Sequence, residues 1–117
     1  LDNKEIIEAI EKASQAIIIA YQDGKKTMLA GNGGSAADAQ HIAGEFVSRF
    51  YFDRPGLSSI ALSTDTSVLT AIGNDYGYEK LFTRQLQAHG TKGDVFIGIS
   101  TSGNSANIIE ASKNVKK

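Results

Sequence analysis

Thr27-Met28-Leu29-Ala30-Gly31-Asn32-Gly33-Gly34-Ser35 and, later, Asp94-Val95-Phe96-Ile97-Gly98-Ile99-Ser100-Thr101-Ser102-Gly103-Asn104-Ser105 each pass from an apolar run into a loop of glycines and hydroxyls that opens a helix. Glycine lets the backbone come close to a ligand. The helix start turns unpaired N–H groups and a partial positive charge toward it, and the hydroxyls add donors. Loops of this chemistry hold phosphate, and a pair of them points to one site built from both.

The segments around these loops fall into a strand, loop, helix rhythm. Asn3 to Tyr21 carries Ile6, Ile10, Ala13, Ile17 and Ala20 at the spacing of an amphipathic helix, which Asp23-Gly24 ends. Thr27–Ala30 is short and apolar, as a buried parallel strand is. Helix is predicted from Ser35 or Ala36 to about Phe50, and a second strand from Leu57 to Leu62 after the Arg54-Pro55-Gly56 turn. A short helix from Thr66 to Ile72 follows, capped by Ser63, Thr64 or Asp65. Gly73-Asn74-Asp75-Tyr76-Gly77 breaks the pattern. Tyr78 to Ala88 then resumes a helix, Asp94–Ile99 makes the third strand, and Ala106 to Lys117 has helical spacing. The alternation predicts an α/β fold of three layers, a central parallel sheet flanked by helices and preceded by an N-terminal helix, with ligands at the carboxyl ends of the strands.

With 117 residues, 41% hydrophobic and 21% charged, the chain fits one globular domain. The net charge is -1, and the basic residues are scattered apart from Lys25-Lys26 and the Lys113 to Lys117 end. No basic face for a nucleic-acid backbone is visible. Ala16 to Ala20, the longest aliphatic run, is far short of the roughly 20 residues that span a bilayer, and no signal peptide opens the chain. The absence of cysteine fits a reducing, cytoplasmic setting. There is no initiator Met, and the last helical spacing meets no Gly or Pro stop, so more chain is expected to follow.

Gly31-x-Gly33-x-x-Ala36 matches the dinucleotide fingerprint, but Leu62 ends the next strand without the acidic residue that a ribose needs, and Ser35 directly after the glycines suits a terminal phosphate better. Ser100, Thr101, Ser102 and Ser105 exceed the one hydroxyl that a helix cap requires, which favours an oxyanion ligand. On the helix between the loops, Asp38, His41 and Glu45 lie along one side while Ala39, Ile42, Ala43 and Phe46 line another. His41 and Glu45, at i and i+4, have the spacing to reach one divalent ion, or Glu45 can serve as a base oriented by His41. An ordinary exposed helix face is the competing interpretation. Glu45 stands ten residues beyond Ser35, about 15 Å of helix rise. Either the phosphate lies at the other loop or the substrate is shared with a neighbouring subunit. Asn74 and Asp75 make an Asx turn or bind sugar hydroxyls. Arg49 can pair with Glu45 or with a substrate anion. His89 reads as a partner for the end of its helix rather than as a catalyst.

Gly31 to His41, Ala71 to Gly77 and Gly98 to Ser105 together closely resemble the phosphoheptose isomerases of the sugar isomerase (SIS) superfamily. The resemblance implies that residues 1–117 form a single Rossmann-like SIS domain whose C-terminal part lies beyond Lys117. It also implies a homotetramer with active sites between subunits, and conversion of sedoheptulose 7-phosphate to D-glycero-D-manno-heptose 7-phosphate, which feeds the heptose of lipopolysaccharide, capsule or other bacterial glycans. Asn32, Gly33, Gly34, Asn74, Asp75, Ser100, Thr101, Ser102 and Ser105 match its substrate-binding positions, with Ser35 beside them. Glu45 matches the general base that works through an enediol, and His41 with Glu45 matches half of a zinc site. The family's other metal ligands, a Gln and a His that is also the expected acid, have no counterpart here, so this stretch alone is expected to be a poor enzyme. Two other classes are a catalytically silent SIS protein that binds a partner, like the factor associated with the bacterial replication initiator, and a sugar-phosphate-sensing regulatory domain. His41 and Glu45 speak against the first. The second would need an additional module.

Overall fold

In the computed structural model, which describes residues 2–113, α1 (Asn3–Gln22) starts in a reciprocal cap. The Asp2 carboxylate accepts from Glu5 N–H at 2.8 Å, and Glu5 accepts from Asp2 N–H at 3.3 Å. The helix forms where its spacing predicts, but this chain does not cover its apolar side: Ile6 is 41% and Ile10 59% exposed, and only Ala20 is buried. The reason is that α1 docks by its C-terminal end. The Tyr21 hydroxyl shares a hydrogen bond with Thr27 Oγ1 at 2.7 Å and donates to Ser58 O, and the Tyr21 ring lies 5.4 Å from that of Phe46.

β1 (Thr27–Ala30) is buried throughout and is the central strand of a parallel sheet ordered β2-β1-β3, with β2 at Ser59–Ala61 and β3 at Val95–Gly98. Met28 pairs with Ile60 on one side and Phe96 on the other. The two outer strands are shorter than their apolar runs, although Leu62 N–H to Leu29 O and Ile99 N–H to Ala30 O carry the pairing one residue further. α2 (Gly34–Val47) covers one face, where Leu29, Ala39, Ala43 and Ala61 pack with Ile97 and Ile99. α3 (Thr66–Tyr76), α4 (Leu81–His89) and α5 (Ala106–Lys113) cover the other, around Met28, Ala30, Leu62, Ile72, Phe82 and Ile108. The three-layer α/β fold is as predicted. Residues 114–117 of the last predicted helix lie outside the described residues.

Two boundaries differ from expectation. α3 begins at the Asp65 cap, which accepts from Val68 N–H at 3.1 Å, but it does not break at Gly73. Buried Ile72 anchors it to the core, and it runs on to Gly77, whose φ of 100° no longer fits a helix. Asn74 and Asp75 are therefore helical. A single 3₁₀ turn, Tyr78–Lys80, leads from there into α4. α2 stops at Val47 rather than near Phe50 because residues beyond it take its final carbonyls. Arg54 donates to Glu45 O at 2.8 Å and to Phe46 O at 2.9 Å, and Leu57 N–H donates to Phe46 O at 3.0 Å.

Asp94, only 5% exposed in its side chain, ties the start of β3 to the start of β1. It accepts from Lys26 Nζ at 2.8 Å, Lys26 N–H at 3.0 Å and Thr91 N–H at 2.8 Å. Burial pushes its carboxyl up, but the Lys26 ammonium and the N–H and hydroxyl donors outweigh that and lower it from 3.8 to about 2. A lowered carboxyl adds stability that is present in full above its ordinary range and is lost as pH falls through the folded value. The contribution is about 2 kcal/mol. Asp94→Asn is expected to cost about that much at pH 7 and little near pH 2, read from urea unfolding at both pH values.

Candidate functional site

The connection from β1 enters α2 on one face of the sheet, whereas that from β3 enters α5 on the opposite face. The carboxyl ends of these neighbouring strands, Ala30 beside Gly98, thus flank the crevice where the winding reverses. Both glycine and hydroxyl loops leave from there.

In the first loop, Ser35 N–H and Ala36 N–H fold back onto Asn32 O and Gly33 O at 2.9 and 3.0 Å. Gly33 takes φ 56° and ψ -120°, which other residues rarely adopt, and supplies no side-chain cap to α2, so Gly33 and Gly34 expose bare backbone. Ser35 is 8% exposed and turns inward, so it helps to build the turn. In the second loop, Ser100 Oγ is the hub. It lies 3.4 Å from Ser102 Oγ and 3.1 Å from Ser105 Oγ and accepts from Gly103 N–H at 3.0 Å. Ser102 Oγ accepts from Asn104 N–H at 3.0 Å, and Thr101 is exposed beside them.

An open cavity of about 550 Å³ lies between the loops, lined by Asn32, Tyr78, Glu79, Ser105, Ala106 and Asn107. Of the residues singled out in the sequence, Asn32 and Ser105 line it, and Ser100 joins through Ser105. Asn74 and Asp75 do not; they lie exposed on the last turn of α3, bonded to each other at 3.1 Å. Beside them the Arg84 guanidinium sits 4.3 Å above the Tyr76 ring. Lys80 and Glu110 bridge the 3₁₀ turn to α5 at 2.8 Å, and the Glu110 bond and charge raise the Lys80 ammonium above its ordinary value.

His41 and Glu45 project from one side of α2, with Nε2 and Oε2 4.0 Å apart and side chains 78% and 38% exposed. An imidazole nitrogen and a carboxylate oxygen at i and i+4 are donors that zinc accepts, so the pair fits half of a tetrahedral site. Among the described residues no group of three or more His, Asp or Glu side chains converges to complete one. Asp38 lies exposed on the same helix, Arg54 rather than Arg49 engages the end of α2, and His89 sits exposed in the last turn of α4 as expected.

Asn107 is not singled out by the sequence, and Tyr78 and Arg54 are read there only as a helix start and a turn residue. Asn107 had one signal, a polar residue on the stripe that Ala111 continues toward the core, and it is 3% exposed. Tyr78 and Arg54 act on residues brought near only by the fold.

A parallel α/β domain with two hydroxyl and glycine loops meeting at a topological switch point belongs to the doubly wound class, whose ligands sit outside the carboxyl ends of the strands. Residues 3–117 match the family model described as SIS domain, and the chain belongs to that family. It is 74% identical over 111 residues to phosphoheptose isomerase 2 of Campylobacter jejuni, covering 95% of this chain and 55% of that protein. It is 72% identical to the phosphoheptose isomerase of Aneurinibacillus thermoaerophilus, covering 95% and 56%. Among solved structures, the phosphoheptose isomerase of Neisseria gonorrhoeae superposes with a TM-score of 0.85 at 49% identity over 95% of this chain and 57% of that one. That of Francisella tularensis gives 0.86 at 37% identity, over 92% and 56%. The chain spans about half the length of the curated relatives it matches.

Proposed function

We propose that the full-length protein is an aldose–ketose isomerase that converts sedoheptulose 7-phosphate to D-glycero-D-manno-heptose 7-phosphate, an early step toward the heptose of a bacterial glycan. The observation that carries this reading is the meeting of Asn32 and Ser105, from separate loops, at one cavity of the switch-point crevice. The similarity to relatives named phosphoheptose isomerase supports the choice of sugar. The loop hydroxyls and exposed Gly33 and Gly34 backbone hold the phosphate and sugar oxygens, while Asn74 and Asp75, outside this cavity, would meet the sugar only in a site shared between subunits. Glu45 takes a proton from C1 and returns it to C2 through an enediol, while a hydroxyl proton passes from O1 to O2. His41 and Glu45 would hold zinc, which supplies a Lewis acid for the developing oxyanion when bound.

The rise of about 15 Å from Ser35 to Glu45 supports a homotetramer whose sites lie between subunits. The uncovered isoleucines of α1 supply apolar surface for such an assembly. No described helix is long and apolar enough to cross a membrane. The cysteine-free sequence fits the reducing cytoplasm in which we propose that the enzyme works.

Proton NMR of the full-length protein with zinc and sedoheptulose 7-phosphate in D2O is expected to show aldose anomeric signals and deuterium at C2. Light scattering of the same sample is expected to give a tetramer. A folded oligomer that binds the sugar phosphate without conversion or exchange would instead be a silent binding protein.

A further inference from the structure

Asn107 is a buried polar residue on the first turn of α5, and its amide meets that of Asn32 in a reciprocal pair. Asn32 Nδ2 donates to Asn107 Oδ1 at 2.9 Å, and Asn107 Nδ2 donates back to Asn32 Oδ1 at 3.1 Å. The Tyr78 hydroxyl donates to the same Asn32 Oδ1 at 3.0 Å. An amide oxygen has two lone pairs and its nitrogen two hydrogens. Asn32 Oδ1 is therefore filled, one Nδ2 hydrogen is used, and a single N–H remains.

We infer that Asn107 is a positioning residue for substrate binding, which with Tyr78 holds the Asn32 amide in one place at the cavity, its remaining N–H left for a ligand oxygen. The Tyr78 hydroxyl, which donates to Oδ1, adds a third bond that fixes the place of the amide at the cavity wall. A donor suits the oxygens of a phosphorylated sugar. An Asn32 left without these partners would lose that placement and swing among rotamers, so the contact would form only part of the time. Burial of Asn107 makes the pairing firm, because a buried amide left without partners is costly. The inference rests on the sugar-phosphate reading above and adds to it the residue that orients one of its contacts.

The test is a double-mutant cycle on the full-length protein, with Kd for sedoheptulose 7-phosphate from calorimetry and kcat from turnover. Asn107→Leu is expected to raise Kd about tenfold with kcat held within about twofold. Asn32→Ala is expected to raise it at least as much, and the double variant should bind no worse than Asn32→Ala alone, because Asn107 acts only through Asn32. Tyr78→Phe alters a ring that is 65% exposed and keeps the fold. It is expected to weaken binding about threefold, again only when Asn32 is present, and it carries the test if Asn107→Leu does not fold. Additive losses, or an unchanged Kd in the folded variants, would overturn the inference. An unaltered protein that binds no sugar phosphate would overturn the reading beneath it and the inference with it.

Discussion

Glu45→Gln in the full-length protein is expected to lower kcat for isomerisation by about a thousandfold, within the range that a positioned general base contributes. That loss is about 4 kcal/mol in the barrier. Gln keeps the shape and the hydrogen-bonding reach of Glu but cannot accept the proton from carbon. The fold should survive, since Glu45 is 38% exposed in its side chain and Arg54 holds its backbone carbonyl rather than its carboxylate. The KM is expected to move much less than kcat, because the phosphate contacts lie at the loops. Deuterium incorporation at C2 should disappear along with turnover. Near-normal exchange in this variant would reject Glu45 as the base and leave His41 and Glu45 with a metal-holding or surface role.

Gly31→Ala is expected to destabilise the protein by about 3 kcal/mol, the upper part of the range for overpacking a tight site. A methyl group at Gly31 would sit 2.5 Å from Ser35 O, 2.6 Å from its carbonyl carbon and 2.7 Å from its Cβ. The atoms that would have to yield are backbone at the first turn of α2, not the tip of a flexible side chain. Relief of the clash shifts the loop that carries Asn32, so sugar-phosphate binding should weaken even in the fraction that folds. Urea unfolding gives the first quantity and calorimetry the second. Gly33→Ala is the control. It meets nothing within 4 Å and is strained only through its φ of 56°, so it should cost less, about 1 to 2 kcal/mol.

The ends of β1 were legible because an uninterrupted apolar run between Lys26 and Gly31 has no other use in a domain of this size. The length of α3 was not. Gly73 weakens a helix by about 1 kcal/mol, and burial of Ile72 in the core outweighs a preference of that size. The end of α2 was hidden for a different reason: its last carbonyls are claimed by Arg54 and Leu57, and nothing within the helix announces that. The site divides in the same way. Asn32 and Ser105 could be found because their loops carry a local chemical signature. Asn107 and Tyr78 could not be assigned, because their contacts to Asn32 exist only once α5 and the 3₁₀ turn close over the first loop. His41 and Glu45 were visible from helical spacing alone, and the structure adds their 4.0 Å separation.

The clamp at the end of α2 also decides where this chain tolerates change. Arg54, Gly56 and Leu57 are fixed by what they touch: two carbonyls of α2 for the guanidinium, a third close enough that a methyl group at Gly56 would lie 2.6 Å from Val47 O, and Phe46 O for the Leu57 N–H. The span between Val47 and Arg54 carries exposed Phe50, Tyr51 and Phe52, which bond and stack with one another, Phe52 N–H on Phe50 O at 2.8 Å and the Phe50 and Tyr51 rings 4.1 Å apart. Lengthening such a loop costs only about 0.6 kcal/mol per doubling. It is a strap with a fixed buckle. Residues can be inserted along the strap with little effect on the helix that bears Glu45, whereas moving the buckle by one position would undo the turn on which that carboxylate stands.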